Sequence, residues 1–321
     1  SERGSQLSLS IERLELNSKY PLTKVGLSAT VGNFEEAGKF VVGTKRKCEI
    51  IRDTSVRKYD VEVKYVNGTI SDVAQKIIDY VIELELDSPI LLFTNTRGEA
   101  EFLASILKEK SSIPIELHHG SLSKQVREET ELTLREGKRG IVVCTSSLEL
   151  GLDIGSIELV IHYGSPRQVS KFVQRIGRSK HNRDASAQGL IITNNSDDEF
   201  ETRAILDRIQ EGSIEEQTIH EGSLDVLAHH LVGLSMQIGE ISVEQAFDLV
   251  TKAYPFRNLK IEDLLDVLNL LNSNYLIFFD RTKMSYWKKG GSFKYFFENL
   301  STIPDILKFK VFDSVGKKII G

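Results

Sequence analysis

Two arginines three residues apart raise the first chemical possibility. In Gln174-Arg175-Ile176-Gly177-Arg178 a helix would send both guanidiniums out from one side. Two such forks converging on one point suit a polyphosphate, and arginines placed this way stabilise charge developing on a transferring phosphoryl group. The same residues also fit a solvated basic helix end, with Lys180 and Arg183 near the negative pole of the helix. A second run, Cys144-Thr145-Ser146-Ser147-Leu148-Glu149-Leu150-Gly151-Leu152-Asp153-Ile154, offers consecutive hydroxyls, then a glycine and an acid. Hydroxyls with exposed amides at a helix start hold phosphates or a nucleic-acid backbone without reading bases, and Asp153 could take a ribose hydroxyl. An ordinary strand–turn–helix connection is the alternative there.

Two further segments, Phe93-Thr94-Asn95-Thr96-Arg97 and His118-His119-Gly120-Ser121-Leu122-Ser123, place small polar groups where a sheet would receive a ligand. The paired histidines invite a metal reading. Adjacent strand residues point to opposite faces, however, and no Cys or further His stands at ligand spacing, so no metal is expected. The sequence has no G-x-x-x-x-G-K-[ST] phosphate cradle: Gly38-Lys39 is followed by Phe40, Gly137-Lys138 by Arg139 and Gly316-Lys317 by Lys318. No strand ends in a D-E-x-D/H acid pair, and Asp197-Asp198-Glu199-Phe200 reads as a polar loop leading into a helix.

The elements that position these residues follow from hydrophobic period. A helix is expected over 7–16 with Leu7, Ile11 and Leu14 as its apolar positions, then a strand-like piece from Leu22 to Leu27 and a helix around Phe34–Phe40. Residues 47–66 read as extended linking strands. From residue 71 helix and strand alternate. Ser71 is the expected N-cap of a helix over 73–86, and the continuously apolar Pro89–Thr94 marks a strand buried on both faces. Helices over 98–108, 124–135 and 168–176 and strands over 113–118, 140–144, 158–162 and 188–193 complete an open, mostly parallel α/β sheet, whose ligands bind at the carboxyl ends of the strands. Beyond a helix near 198–211, three helices (223–237, 243–254, 261–272) and a hairpin turning at Arg281-Thr282-Lys283 outline a winged helix. Residues 290–321 read as the start of a further β-rich unit.

The composition suits a globular protein of about two domains. Of the 321 residues, 40% are hydrophobic and 27% charged, which excludes disordered, collagenous and disulfide-stapled classes. A formal net charge of −5 gives no global basic signature, so any nucleic-acid surface would be local. Cys48 and Cys144 are far apart and read as reduced. No apolar run approaches a membrane span and no signal peptide is visible, so a cytoplasmic location and no membrane partner are expected. Both ends of the chain read as cut.

In this order, the motifs resemble those of superfamily 2 helicases, and specifically the large helicase-related (Lhr) family close to the Ski2-like enzymes. Gly26-Leu27-Ser28-Ala29-Thr30-Val31-Gly32-Asn33 is similar to motif III, Leu91–Arg97 to motif IV and His119–Ser123 to motif IVa. Residues 143–155 are similar to motif V and 173–181 to motif VI, and Tyr295–Pro304 resembles the segment after the family's winged helix. Lys180 departs from the glycine usual after the Arg-Ser pair.

The resemblance implies the tail of a first RecA-like lobe over 1–46, a second RecA-like lobe over 47–211, a winged helix over 212–289 and a further unit over 290–321. It implies an ATP-dependent helicase that moves 3′→5′ on single-stranded DNA, unwinding forked or 3′-tailed duplex or DNA–RNA hybrid, in a DNA-repair or fork-maintenance setting. Arg175 and Arg178 would reach the γ-phosphate with Gln174 assisting, and Gly151 and Asp153 would face the nucleotide. Ser28, Ala29 and Thr30 would couple nucleotide state to the strand. Thr94, Asn95, Arg97, His119, Gly120, Ser121, Thr145 and Ser146 would line the backbone track. Trp287, with Tyr286, Lys283, Lys288 and Lys289, would offer a wing for stacking, unless the wing is only a structural bracket. ATP and Mg2+ would be held mainly by the missing first lobe, leaving this chain inert as an ATPase by itself. The rival readings are a non-enzymatic nucleic-acid-binding adaptor with a RecA-like fold, or an RNA helicase.

Overall fold

The computed structural model describes residues 1–28, 30–52, 59–149, 154–155, 157–179, 187–216 and 218–300. Their contacts divide into two units. One comprises Ser1–Leu27, Asn33–Ile51 and the chain from Thr218 onward; the other comprises the described residues of 28–32 and 52–217. The contacts therefore do not divide the chain after residue 46, where a boundary was expected. The chain opens with two helices of the first unit, α1 (Glu2–Glu15) and α2 (Phe34–Val42). The residues between them that were expected as a strand, 22–27, carry no regular structure.

The second unit is a parallel sheet with helices on both faces. Its elements are β1 (Tyr59–Tyr65), α3 (Ile70–Glu83), β2 (Pro89–Phe93), α4 (Arg97–Lys110), β3 (Ile115–His118), α5 (Lys124–Arg135), β4 (Gly140–Cys144), β5 (Leu159–Tyr163), α6 (Val169–Ile176), β6 (Ala187–Thr193) and α7 (Ser196–Gln210). The strands run β1-β6-β5-β2-β4-β3, every pair parallel. Residues expected as linking extensions thus include a true edge strand, β1. The side-chain period of two explains why β2 is apolar throughout: Leu92 and Val143 face one core with Val73, Ile77, Leu103 and Leu107, whereas Leu91, Phe93 and Val142 face the other with Phe172, Ile176 and Ile205.

Helix starts are set by side chains that satisfy orphan amides. Thr69, not Ser71, caps α3, with Asp72 closing the box onto the Thr69 amide at 2.7 Å. Thr96 and Glu99 do the same for α4. Asn195 caps α7, so Asp197, Asp198 and Glu199 lie in the first helical turn rather than in a loop.

The first unit continues with α8 (Leu224–Ile238), β7 (Ile241–Ser242), α9 (Val243–Val250), α10 (Ile261–Ser273), β8 (Ile277–Asp280), β9 (Ser285–Lys288) and α11 (Gly291–Glu298). The antiparallel sheet runs β7-β9-β8, one strand more than the expected hairpin. Residues 291–298 are helical and pack on α8, not the start of a β-rich unit; 301–321 lie outside the described residues. Tyr286, expected on the wing's outer face, is fully buried in the core of this unit.

Helix α1 buries an unexpected face. Leu7 and Leu14 are exposed, and Ser5, Ser8, Leu9 and Glu12 are buried. The reason is polar: the Glu12 carboxylate takes Lys24 Nζ at 2.8 Å and both terminal nitrogens of Arg46 at 2.8 and 2.9 Å. Burial alone would raise the Glu12 pKa, but the hydrogen bonds and charges of Arg46 and Lys24 outweigh it and hold it low. Further along α1, Arg13 donates from Nε to Gln237 and from Nη1 to His230 Nδ1 at 3.2 Å. Gly233 of α8 makes room for this crossing, since a Cβ there would stand 2.4 Å from Arg13 Nη1 and 2.6 Å from the Phe296 ring. Beside it the His229 ring stacks on Phe296 at 4.3 Å. Among the described residues no helix is long and apolar enough to cross a membrane.

Burial, with the charges of Arg13 and His229, pushes His230 from its ordinary 6.5 down to about 3. The unfolded chain therefore binds a proton that the folded chain refuses. This contribution to stability is complete above pH ~6.5 and is lost as pH falls toward 3. Thermal melts of the chain should show a falling Tm between pH 6.5 and 5, and His230→Gln should flatten that limb; an unchanged limb would remove His230 as its source.

Candidate functional site

Because all strands of the sheet run the same way, their carboxyl ends share one rim, and the chemistry-bearing residues collect there. Thr94, Asn95 and Arg97 follow β2; His119, Gly120 and Ser121 follow β3; Thr145 and Ser146 follow β4. Arg97, Gly120, Ser121 and Ser146 are exposed, while Thr94, His119 and Thr145 are buried. Thr94 Oγ1 donates to the Thr96 carbonyl at 2.9 Å, and the His119 Nδ1 accepts the Ser121 amide at 3.3 Å. The rim thus presents hydroxyls and a loop set by its own hydrogen bonds, the kind of surface that meets phosphates rather than bases. The paired histidines do diverge. His118 faces Ser147 and Glu131, and His119 Nε2 lies 3.1 Å from Glu101, outside hydrogen-bonding geometry.

Of the two arginines only Arg175 lies within α6: the helix ends at Ile176 with Gly177 as its cap, and Arg178 follows beyond the last helical turn. Arg175 points inward and is only 3% exposed. Its Nε donates to Glu149 Oε1 at 2.6 Å, Nη2 approaches the same oxygen at 2.5 Å, and Nη1 donates to Asn95 Oδ1 at 3.2 Å and to His162 Nε2. Its guanidinium also lies over the Phe93 ring, 5.4 Å from the centroid. His162 Nδ1 carries a proton to the Gly164 carbonyl at 2.9 Å, which leaves Nε2 as acceptor. Burial and the Arg175 charge keep this imidazole neutral, its pKa well below the ordinary value.

Arg178 is half-buried and lays its fork on the backbone of the same residue that takes Arg175. Nε and Nη2 donate to the Glu149 carbonyl at 3.0 and 2.7 Å. Burial lowers its pKa, far too little to discharge a guanidinium. Glu149 therefore serves both arginines, one through its carboxylate and one through its carbonyl. Gln174, the third predicted member, donates from Nε2 to Thr30 Oγ1 at 2.8 Å. Ser28 Oγ donates to the Thr30 carbonyl at 3.3 Å. Ala29, Gly151 and Asp153 lie outside the described residues.

Sequence reasoning missed several positioning residues. Glu215 accepts the amides of Val169 and Ser170 at 2.6 and 3.1 Å, capping α6 from 45 positions away, and its carbonyl would stand 2.3 Å from any Cβ at Gly32. Asp198 accepts the Ser165 amide at 3.3 Å and pairs with Arg167 at 2.8 Å. These are long-range partners of ordinary surface residue types, and no local pattern marks them. Among the described residues no group of three or more His, Cys, Asp or Glu could hold a metal ion.

The six-stranded parallel sheet with its polar rim, followed by a winged helix, defines the second RecA-like lobe of a superfamily 2 helicase. Comparison with known proteins agrees: residues 72–182 match the helicase conserved C-terminal domain, and residues 207–305 match the winged helix domain of large helicase-related protein. The chain belongs to the large helicase-related (Lhr) family. It is 37% identical over 320 residues to ATP-dependent helicase Lhr-Core of Methanocaldococcus jannaschii, covering 95% of this chain and 37% of that protein. It is 35% identical over 347 residues to ATP-dependent helicase Lhr-Core protein 2 of Thermococcus barophilus, covering 100% of this chain and 40% of that one. The structure of Mycobacterium smegmatis helicase Lhr bound to ssDNA and AMP-PNP superposes with a TM-score of 0.83 at 30% identity, over 95% of this chain and 42% of that chain. The chain thus spans about two-fifths of the length of these relatives.

Removing Glu149 strands a buried cation. Glu149→Ala should destabilise the chain by about 3–5 kcal/mol, read by urea unfolding, because Arg175 loses its counter-charge in the interior. Arg178→Ala should cost less, because that arginine is only half-buried and its fork rests on a neutral carbonyl. Equal losses would contradict the separate roles of the two arginines. The neighbouring Cys144 gives a second check. Burial pushes its thiol pKa up, so native protein at pH 8 should take one iodoacetamide, on exposed Cys48, and a second only when unfolded.

Proposed function

We propose that this chain is the second-lobe and winged-helix part of an ATP-dependent DNA helicase that moves 3′→5′ on single-stranded DNA and opens forked or 3′-tailed duplex or DNA–RNA hybrid. The observation that carries the reading is the convergence on Glu149 of the two motif VI arginines, beside the Gln174–Thr30 hydrogen bond that links motif VI to motif III. The bound state of the Mycobacterium smegmatis relative, which holds ssDNA and AMP-PNP, supports it.

In this reading Arg178 is the arginine that meets the γ-phosphate. Its Nε and Nη2 rest on a neutral backbone carbonyl, and an anionic phosphate oxygen is a stronger partner for that fork. Arg175 is a positioning residue: it fixes Glu149, and through the Glu149 carbonyl it fixes where Arg178 starts. Gln174, Ser28, Ala29 and Thr30 transmit nucleotide state, and Gly151 and Asp153 face the nucleotide. Thr94, Asn95, Arg97, His119, Gly120, Ser121, Thr145 and Ser146 form the strand track, the exposed members by contact and the buried ones by shaping the loops. Water attacks the γ-phosphate while Arg178 absorbs developing charge. ATP is the substrate. Its cradle and magnesium ligands belong to a first lobe, so the 321-residue chain by itself hydrolyses no ATP.

The test is DNA-stimulated ATPase and unwinding by the intact helicase that contains this segment. Arg178→Ala should lower kcat by about 10³-fold with KM for ATP and DNA affinity nearly unchanged. Arg175→Ala should lower kcat together with Tm. Loss of DNA binding in Arg178→Ala would move that residue to the strand track, and DNA-stimulated ATPase by the isolated 321-residue chain would overturn the assignment of the cradle to a first lobe.

A further inference from the structure

The end of the winged-helix unit carries a chemistry that its core does not need. Between Asp280 and Glu298 the sequence has Arg281, Lys283, Lys288, Lys289 and Lys294 and no acid, within a chain of net charge −5. Among the described residues none of these four lysines makes an ion pair, and Lys288 and Lys289 lie against aromatic faces. Lys289 Nζ sits 4.2 Å from the Phe278 ring centroid and 4.5 Å from that of Tyr275, and Lys288 Nζ sits 5.5 Å from Phe293. Phe278 is itself stacked on Trp287, centroids 5.6 Å apart and planes 23° from parallel.

The rings are also displayed rather than packed away. Tyr275 is 72% exposed and Phe278 43%. Tyr275 follows Asn274, the C-cap of α10, at a position where glycine is the usual choice, and it holds a left-handed φ of 58°. A bulky residue there carries backbone strain, and its exposed ring is not held there by burial. Gly291, the first residue of α11, completes the site by close approach, since a Cβ there would stand 3.0 Å from the Tyr275 carbonyl. The Lys289 amide donates to Ser292 Oγ at 2.9 Å, and that hydroxyl in turn donates to the Leu276 carbonyl. Two short polar links thus fix the lysine backbone beside the rings.

We infer that Tyr275, Phe278, Trp287 and Lys289 form a platform that stacks unpaired bases of a single-stranded nucleic acid, with Lys288 and Lys294 taking its phosphates. Exposed rings beside unpaired cations match a polyanion that also carries flat faces, and stacking of this kind tolerates any base. An acidic peptide or a simple polyanion would use the cations and leave the rings idle. The inference rests on the helicase reading only for its ligand class.

Trp287 is the sole tryptophan, so its fluorescence reports the platform directly. The 321-residue chain is titrated with labelled oligo(dT) of about 12 nucleotides, and label anisotropy and Trp287 emission are read together. The same is done with an abasic backbone of equal length and with phosphatidylserine vesicles. Oligo(dT) should quench Trp287 and bind at least about tenfold more tightly than the abasic strand. Tyr275→Gly removes the ring while suiting the backbone, so it should weaken binding about tenfold without lowering Tm, and Tyr275→Phe should restore it. Equal binding of the abasic strand would overturn the platform in favour of charge alone. A response to vesicles without one to oligo(dT) would overturn it in favour of a membrane surface. Tight oligo(dT) binding with Trp287 silent and Tyr275→Gly unaffected would remove the platform and leave the helicase reading standing, whereas binding of no strand at low salt would count against both.

Discussion

The sheet unit depends on one buried ion pair. Arg175 and Glu149 are both almost fully withdrawn from water, and an unpaired charge there would be untenable. Holding them together fixes three things at once: the turn after β4, the inward face of α6, and, through Asn95 and His162, the ends of β2 and β5. The pair does little to make the fold more stable than an apolar core would. It makes the arrangement of three strand ends, those of β2, β4 and β5, single-valued. Arg178 inherits its position from the same residue, as a guest on a carbonyl whose side chain is already committed.

The winged-helix unit solves a related problem with neutral groups. Arg13 enters between α8 and α11 and is met by Gln237, by a histidine kept unprotonated and by the face of Phe296 at 5.5 Å. Neutrality of His230 is what admits the guanidinium, and the guanidinium is part of what keeps His230 neutral. Gly233 supplies the missing volume. The outcome is a clamp that ties α1 to α8 through polar contacts, with the apolar Leu7 and Leu14 left outside.

Much of this was legible in the sequence because it is local. The apolar runs of β2 and β4, the βαβ spacing and the three helices before the hairpin each follow from a period or a short turn, and the motifs fall on strand ends as parallel topology requires. What failed was set at a distance. Helix α1 turned its face because Glu12 needed Lys24 and Arg46. Residues 291–298 became helical because Ser292, Tyr295 and Phe296 pack on the α8 side, against the strand preference of their aromatic rings. The arginine pair was read on the spacing of a continuous helix, whereas α6 stops between the two and it is Glu149 that brings their forks together. Glu149 and Glu215 could not have been singled out, since their partners lie 26 and about 45 positions away.

The order of the two units along the chain has a consequence for synthesis. The sheet unit is nearly continuous, whereas the other is assembled from residues 1–27, 33–51 and everything from Thr218 onward. Within this segment α1 and α2 are made before the rest of their unit, from Thr218 onward. Glu12 has Lys24 and Arg46 at hand, but Arg13 waits for Gln237 and His230, and Thr44 for the carbonyls of Thr251 and Lys252. The whole sheet is made in the interval. At translation rates of about 5–20 residues per second the two helices stay unpaired for roughly ten seconds or more. A polar, charge-rich α1, whose buried face carries a single leucine, Leu9, among Ser5, Ser8 and Glu12, is suited to that wait.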